Sequence, residues 1–190
     1  MQRLFFQSLV VGLLVLMSPF VLASETENNC PDGLAANLTK EFGPGIAGKT
    51  QCVQEKKAIK IVMQVNQYCG KKTDEKCVAP HGFRNIPSMI KNYTKTNAIP
   101  RDQIDIALVV HGGGGKLLLK GNPFEQQVKF ALENGVKVYF CQETMRSFIK
   151  KGLIPAGKAE EALIDGIEYV TGGLLALVDF QRQGYMYIQP

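Results

Sequence analysis

From Ala58 to the last residue, short apolar runs of strand length alternate with stretches of helical periodicity. That alternation limits the chain to very few folds. Ala58-Ile59-Lys60-Ile61-Val62-Met63-Gln64-Val65 is rich in β-branched residues and predicts a first strand. Asn85 offers a helix cap with Pro87 just inside the start, and Ile86, Met89, Ile90 and Tyr93 fall on one helical face. Ile104–Val110 is almost continuously apolar, as a strand buried on both faces must be. Asn122 caps a second helix carrying Phe124, Val128, Ala131 and Leu132, and Asn134-Gly135 stops it. Val136–Cys141 is the third strand. A helix follows from about Thr144 to Lys151, then a weaker helical segment over Lys158–Ile164. A strand at Ile167–Thr171, a strongly apolar helix at Gly172–Gln183 and a last strand at Tyr185–Ile188 complete the series. Strands and helices in strict alternation with short connections predict an α/β fold, a mostly parallel five-stranded sheet between two layers of helices.

Composition agrees. The 190 residues are 45% hydrophobic, enough for a sizeable core, which excludes bulk disorder. The net charge of +5, from 22 basic and 17 acidic residues, is too mild and too evenly spread to point to nucleic acid.

The first residues read differently. Arg3 precedes an apolar stretch from Leu9 to Leu16, then Pro19 and a small-residue exit at Val21-Leu22-Ala23. Residues 1–23 therefore read as a secretory signal cleaved near Ala23, with an uncleaved anchor as the alternative. The expected location is periplasmic, with no membrane contact after cleavage. Residues 24–57 are polar and glycine-containing, and read as an extended arm or small hairpin region pinned by cysteines. Residues 58–190 form the α/β domain.

Export places the thiols in an oxidising compartment. The chain has five cysteines, so at least one is unpaired, shared between chains or chemically used. The simplest pairing joins Cys69 to Cys77 and Cys30 to Cys52, leaving Cys141 free, although four cysteines allow three connectivities. No Cys-x-x-Cys occurs and His81 is the only imidazole near the four, which argues against zinc and against a dithiol redox protein.

Ligands of open parallel sheets bind beyond the carboxyl ends of the strands. Three features meet there: His111 with Gly112–Gly115, Cys141 with Gln142-Glu143-Thr144, and Thr171-Gly172-Gly173. Cys141 ends a strand and precedes a helix, where unpaired N–H groups favour thiolate, the form that attacks sulfur or carries a persulfide. The alternative is an inert, buried strand cysteine. His111 could pair with Cys141 as base or ion partner, or simply bond backbone at its strand end. The glycine run is no phosphate loop, because Leu117 follows Lys116 where Ser or Thr is required. No cofactor and no metal are expected. Lys116 and Arg146 are candidate anion partners near these loops.

Val109-Val110-His111-Gly112, Asn122-Pro123, the run Gly135 to Met145, Gly166-Ile167-Glu168-Tyr169-Val170 and the run Leu177 to Tyr185 together resemble the DsrE/DsrF-type family, most of all its exported branch. The resemblance covers about Ala58 to Pro190. It implies a three-layer α/β fold assembling into homo-oligomers, often trimers or hexamers. In sulfur-relay members, a cysteine at the position matching Cys141 carries sulfur as a persulfide and passes it to a partner. His111 matches a common family histidine. The Cys30/Cys52 arm, the Cys69/Cys77 insertion and Gln142, where glycine often follows the cysteine, depart from the family pattern. The expected function is thus an exported sulfur carrier of sulfurtransferase type, with a sulfur donor or acceptor protein or a small sulfur species as partner. The alternative is a non-enzymatic oligomeric binding or scaffolding module with a structural cysteine.

Overall fold

A computed structural model of the chain describes residue 30 and residues 32–53, 58–68 and 81–190. The signal segment and the Cys69/Cys77 pair lie outside the described residues.

Five strands form one sheet: β1 (Ile59–Val65), β2 (Ile104–Val110), β3 (Lys137–Cys141), β4 (Glu168–Val170) and β5 (Met186–Ile188). Their order is β4-β3-β2-β1-β5, and every neighbouring pair is parallel. The expected mostly parallel sheet is thus wholly parallel. The strand boundaries sit within two residues of those read from the sequence, because continuous apolar runs have no other way to bury both faces.

Side chains alternate between the two faces along each strand. One face carries Ile61, Met63, Ile106, Leu108, Val138 and Phe140 into the larger core. That core is closed by Phe83 and Ile86 of α3 (His81–Lys91), Val128 and Ala131 of α4 (Glu125–Glu133) and Phe148 of α5 (Gln142–Lys150). The other face carries Val62, Ala107 and Val109 into a smaller core. Of the described helices, α7 (Gly173–Arg182) supplies that core, through Ala176 and Leu177. Tyr185 joins it, and its hydroxyl donates to Asp105 Oδ2 at 2.5 Å while Lys137 Nζ holds the same oxygen at 3.0 Å.

One helix cannot cover a five-stranded face. Leu174 and Leu175 of α7 are 65% and 68% exposed, and Val178 of α7 and Tyr187 of β5 also face solvent on this side. This is a sizeable apolar area on a single chain.

Three elements differ from the sequence reading. The region read as an extended arm or hairpin contains two helices, α1 (Asp32–Phe42) and α2 (Pro44–Ala47). Ala35, Ala36, Leu38 and Lys40 are good helix formers, and the flanking glycines and polar residues hid them. A disulfide joins Cys30 to Cys52 across the two helices. The helix α3 begins a turn before Asn85 and takes Pro87 into its interior, then runs into a π-turn over Asn92–Thr96. Pro87 removes one intrahelical donor, which did not outweigh burial of Phe83 and Ile86. The segment read as helical over Lys158–Ile164 is a single turn, α6 (Ala159–Ala162).

The cap position of α4 falls on Phe124 and not on Asn122, which stands two residues before it and turns the chain into the helix: its Oδ1 accepts from the Phe124 N–H at 2.8 Å. Its Nδ2 also donates to the carbonyls of Leu117 and Leu119, fastening the 3-10 helix Gly112–Leu118 to the start of α4.

Candidate functional site

The chain leaves β3 towards α5 on one face of the sheet and leaves β4 towards α7 on the other. Neighbouring strands whose exits diverge in this way open a crevice at their carboxyl ends, where ligands of doubly wound sheets sit. Cys141 stands at that point. It is the last residue of β3, pairs with Val170 of β4 and occupies the cap position of α5.

The side chain of Cys141 faces α7. Its Sγ accepts the backbone N–H of Gly173, the first residue of α7, at 3.2 Å. The sulfur therefore receives a donor from one helix start while its own residue caps another. Such donors stabilise negative charge on the atom they address. Cys141 is the free cysteine of the described residues, and it is 4% exposed. Glu143, which would oppose charge on the sulfur if turned inward, faces solvent and pairs with Arg146.

His111 sits beside Cys141. Val110 of β2 pairs with Phe140 of β3, so the next residue along each strand brings His111 next to Cys141 on the face that carries α7. Gly173 lies between them. A side chain there would put its Cβ 2.9 Å from Cβ of His111 and 3.0 Å from Cγ and Cδ2 of the ring. Glycine is required at this position by close approach, since its φ is not in the left-handed region.

No hydrogen bond joins His111 to Cys141 among the described residues. Its backbone N–H donates to the carbonyl of Val65 at 3.0 Å. Its ring Nε2 instead meets Nε2 of Gln64 at 2.7 Å, and Oε1 of Gln64 accepts the Tyr187 hydroxyl at 2.5 Å. Burial lowers the pKa of His111 below the usual imidazole value.

The glycine run serves the protein's own backbone. A Cβ at Gly114 would stand 2.3 Å from the carbonyl oxygen of Val65, and one at Gly115 would stand 2.7 Å from the ring of Phe140. These glycines let the turn press onto the ends of β1 and β3. The Gly112 N–H donates to Oγ1 of Thr144 at 2.8 Å, tying the turn to α5. Between the turn and α5 runs an open cleft of about 570 Å³, lined among others by Lys116, Thr144, Ser147, Phe148 and Lys151. A smaller cleft of about 230 Å³ lies beside the start of α7 and includes Val170, Thr171, Gly172 and Leu175. Lys116 thus borders a cleft, with its ammonium 5.6 Å from the centroid of the Tyr68 ring, whereas Arg146 is engaged by Glu143. Among the described residues, no group of three or more His, Cys, Asp and Glu is arranged to hold a metal ion.

Gln64 and Tyr187 escaped the sequence reading. They lie 47 and 76 positions from His111 and on two other strands. The one available signal was a glutamine within the apolar run of β1.

A wholly parallel five-stranded sheet with helices on both faces defines a three-layer α/β protein, and among the described residues its one free thiol stands at the crevice where β3 and β4 part. The chain belongs to the DsrE/DsrF-like family, whose pattern matches residues 77–190. It is similar to two solved structures. One is MTH1491, a protein of unknown function from Methanobacterium thermoautotrophicum, at 20% identity and a TM-score of 0.47, covering 70% of this chain and 99% of that one. The other is the ychN protein from E. coli, at 17% identity and a TM-score of 0.44, with the same coverage. No curated protein matches the sequence.

Proposed function

We propose that the protein is an exported sulfur carrier that holds sulfur as a persulfide on Cys141 and passes it to an acceptor. The observation that carries this reading is the Gly173 N–H at 3.2 Å from Sγ, at the crevice where β3 and β4 part. In the loading step the Cys141 thiolate attacks a sulfane sulfur of a polysulfide or a partner's persulfide. A new S–S bond forms on Cys141, the bond from that sulfur to its leaving group breaks, and the leaving group departs as a thiolate with the electron pair. Unloading is the same exchange with an acceptor thiolate attacking the outer sulfur, so no net oxidant is needed. His111, adjacent on β2, completes the site.

Two further features support the reading. The Cys30–Cys52 disulfide suits an oxidising compartment, in line with the signal read in residues 1–23. Among the described residues, no helix is long and apolar enough to cross a membrane. The apolar face left open by α7 suits a homo-oligomer in which other copies cover Leu174, Leu175 and Val178.

The test is incubation of the purified protein with polysulfide followed by intact and peptide mass spectrometry. A gain of one sulfur atom on the Cys141 peptide, absent in Cys141→Ser, is expected. A folded protein that gains none there would refute the reading. The second reading, an oligomeric binding module with a structural cysteine, is favoured by the 4% exposure of Cys141, and that negative result would support it.

A further inference from the structure

Side chains from β5, from β1 and from the residue that follows β2 form a hydrogen-bonded line across the face that carries α7. The Tyr187 hydroxyl of β5 donates to Oε1 of Gln64 of β1 at 2.5 Å, and Nε2 of Gln64 meets Nε2 of His111 at 2.7 Å. An amide NH₂ can only donate, so the ring nitrogen facing it must be bare. We propose that Gln64 and Tyr187 are positioning residues that hold His111 as the neutral tautomer with its proton on Nδ1. The tyrosine hydroxyl donates to Oε1 of Gln64, its nearer acceptor, with Oε1 of Gln189 at 3.4 Å; that bond turns the Gln64 NH₂ towards the imidazole, and the amide fixes which nitrogen carries the proton. His111 then cannot use Nε2 to take a proton from Cys141 while the line is intact. It offers an uncharged N–H donor at Nδ1 instead, and among the described residues nothing accepts that proton.

The surroundings of the ring agree. Cys141 faces it from β3, and Tyr187 of β5 reaches it through Gln64. The helix α7 approaches it closely with the backbone of Gly173. Burial alone accounts for the lowered pKa of His111, so no neighbouring charge stabilises an imidazolium there.

The inference rests on reading Cys141 and His111 as one site, but its readout is the ring itself and does not depend on sulfur transfer. The chain has two histidines, so His81→Gln leaves the ring nitrogens of His111 alone in a long-range ¹⁵N–¹H correlation spectrum. At pH 7.5 we expect Nδ1 to carry the proton and Nε2 to be bare. In Tyr187→Phe the amide loses its anchor, and both tautomers should be populated. In Gln64→Glu a carboxylate can only accept, so the bare Nε2 signal should vanish. A proton on Nε2 in the parent protein would overturn the proposal, as would an unchanged spectrum in either variant. Failure of polysulfide loading alongside the expected spectra would reject the carrier reading and leave the tautomer assignment standing.

Discussion

At the scale of single residues, Gly173 and Gly114 make demands of different strength on their neighbours. An alanine at Gly114 drives its Cβ into the carbonyl of Val65, which is backbone and cannot yield. An alanine at Gly173 meets the ring of His111 at 3.0 Å, which can turn if its bond to Gln64 is given up, and Cβ of His111 at 2.9 Å, which moves only if α7 shifts against the end of β2. We expect Gly114→Ala to cost about 3 kcal/mol and Gly173→Ala about 2 kcal/mol of stability in urea unfolding, within the usual range for overpacking. Gly173→Ala should also displace His111, seen as altered imidazole shifts, whereas Gly114→Ala should act on stability alone. Equal losses, or an undisturbed imidazole in Gly173→Ala, would contradict the packing described.

The pH dependence of stability follows from the same histidine. Burial lowers the folded-state pKa of His111 below its unfolded value, so the unfolded chain binds the proton more readily. Above the unfolded pKa, near 6.5, the group contributes nothing; below it, stability falls until the folded form protonates too. Acidification from pH 7 to 5 should therefore lower the unfolding midpoint, and His111→Gln should reduce that loss. Asp105 acts in a lower window. Burial alone would raise its pKa, but the hydrogen bonds from Tyr185 and Lys137 outweigh it and hold the carboxylate below its usual range. Its stabilisation is present above the unfolded value and disappears as pH falls through the folded one, so Asp105→Asn should flatten the profile only below about pH 4.

At the scale of elements, β2, β3 and α4 were legible because each is written in consecutive residues: a continuous apolar run, or apolar positions at helical spacing between Asn122 and Gly135. The crevice was legible as far as Cys141, since a cysteine that closes a strand and opens a helix is a local pattern. The α1–α2 pair was not legible, because its helix formers are diluted by glycine and polar residues and its ends are set by a disulfide. Nor was the line from Tyr187 through Gln64 to His111, which exists only once β5 is laid beside β1 and β1 beside β2. The disulfide invites a direct test. Closing the 22-residue separation between Cys30 and Cys52 should stabilise the α1–α2 unit by about 3 kcal/mol in the chain-entropy view. Reduction should raise amide exchange in residues 32–53 while leaving β1, β2 and β3 protected. Loss of protection across the sheet would mean the unit supports the whole core.

At the scale of the whole molecule, the sheet is covered unequally. The helices α3, α4 and α5 and a 3-10 turn close one face, and of the described helices α7 alone supplies the core on the other, with Leu177 turned inward and Leu174 and Leu175 outward. We expect Leu174→Asp/Leu175→Asp to lower the native mass in light scattering while the monomer keeps its far-UV spectrum. An unchanged mass would show that this face does not hold copies together. The same placement puts Cys141 and His111 on the side where copies would meet, so assembly would also set access to the sulfur.

All of these scales converge on whether the Cys141 sulfur can be reached in the folded protein. The most direct measurement is the rate of alkylation by iodoacetamide under native conditions, read by peptide mapping so that Cys141 is separated from the other cysteines. We expect Cys141 to be labelled many times faster than the chain globally unfolds, through opening of the crevice at Gly172-Gly173. Labelling only at the unfolding rate would contradict the carrier function and leave Cys141 as a residue of the core.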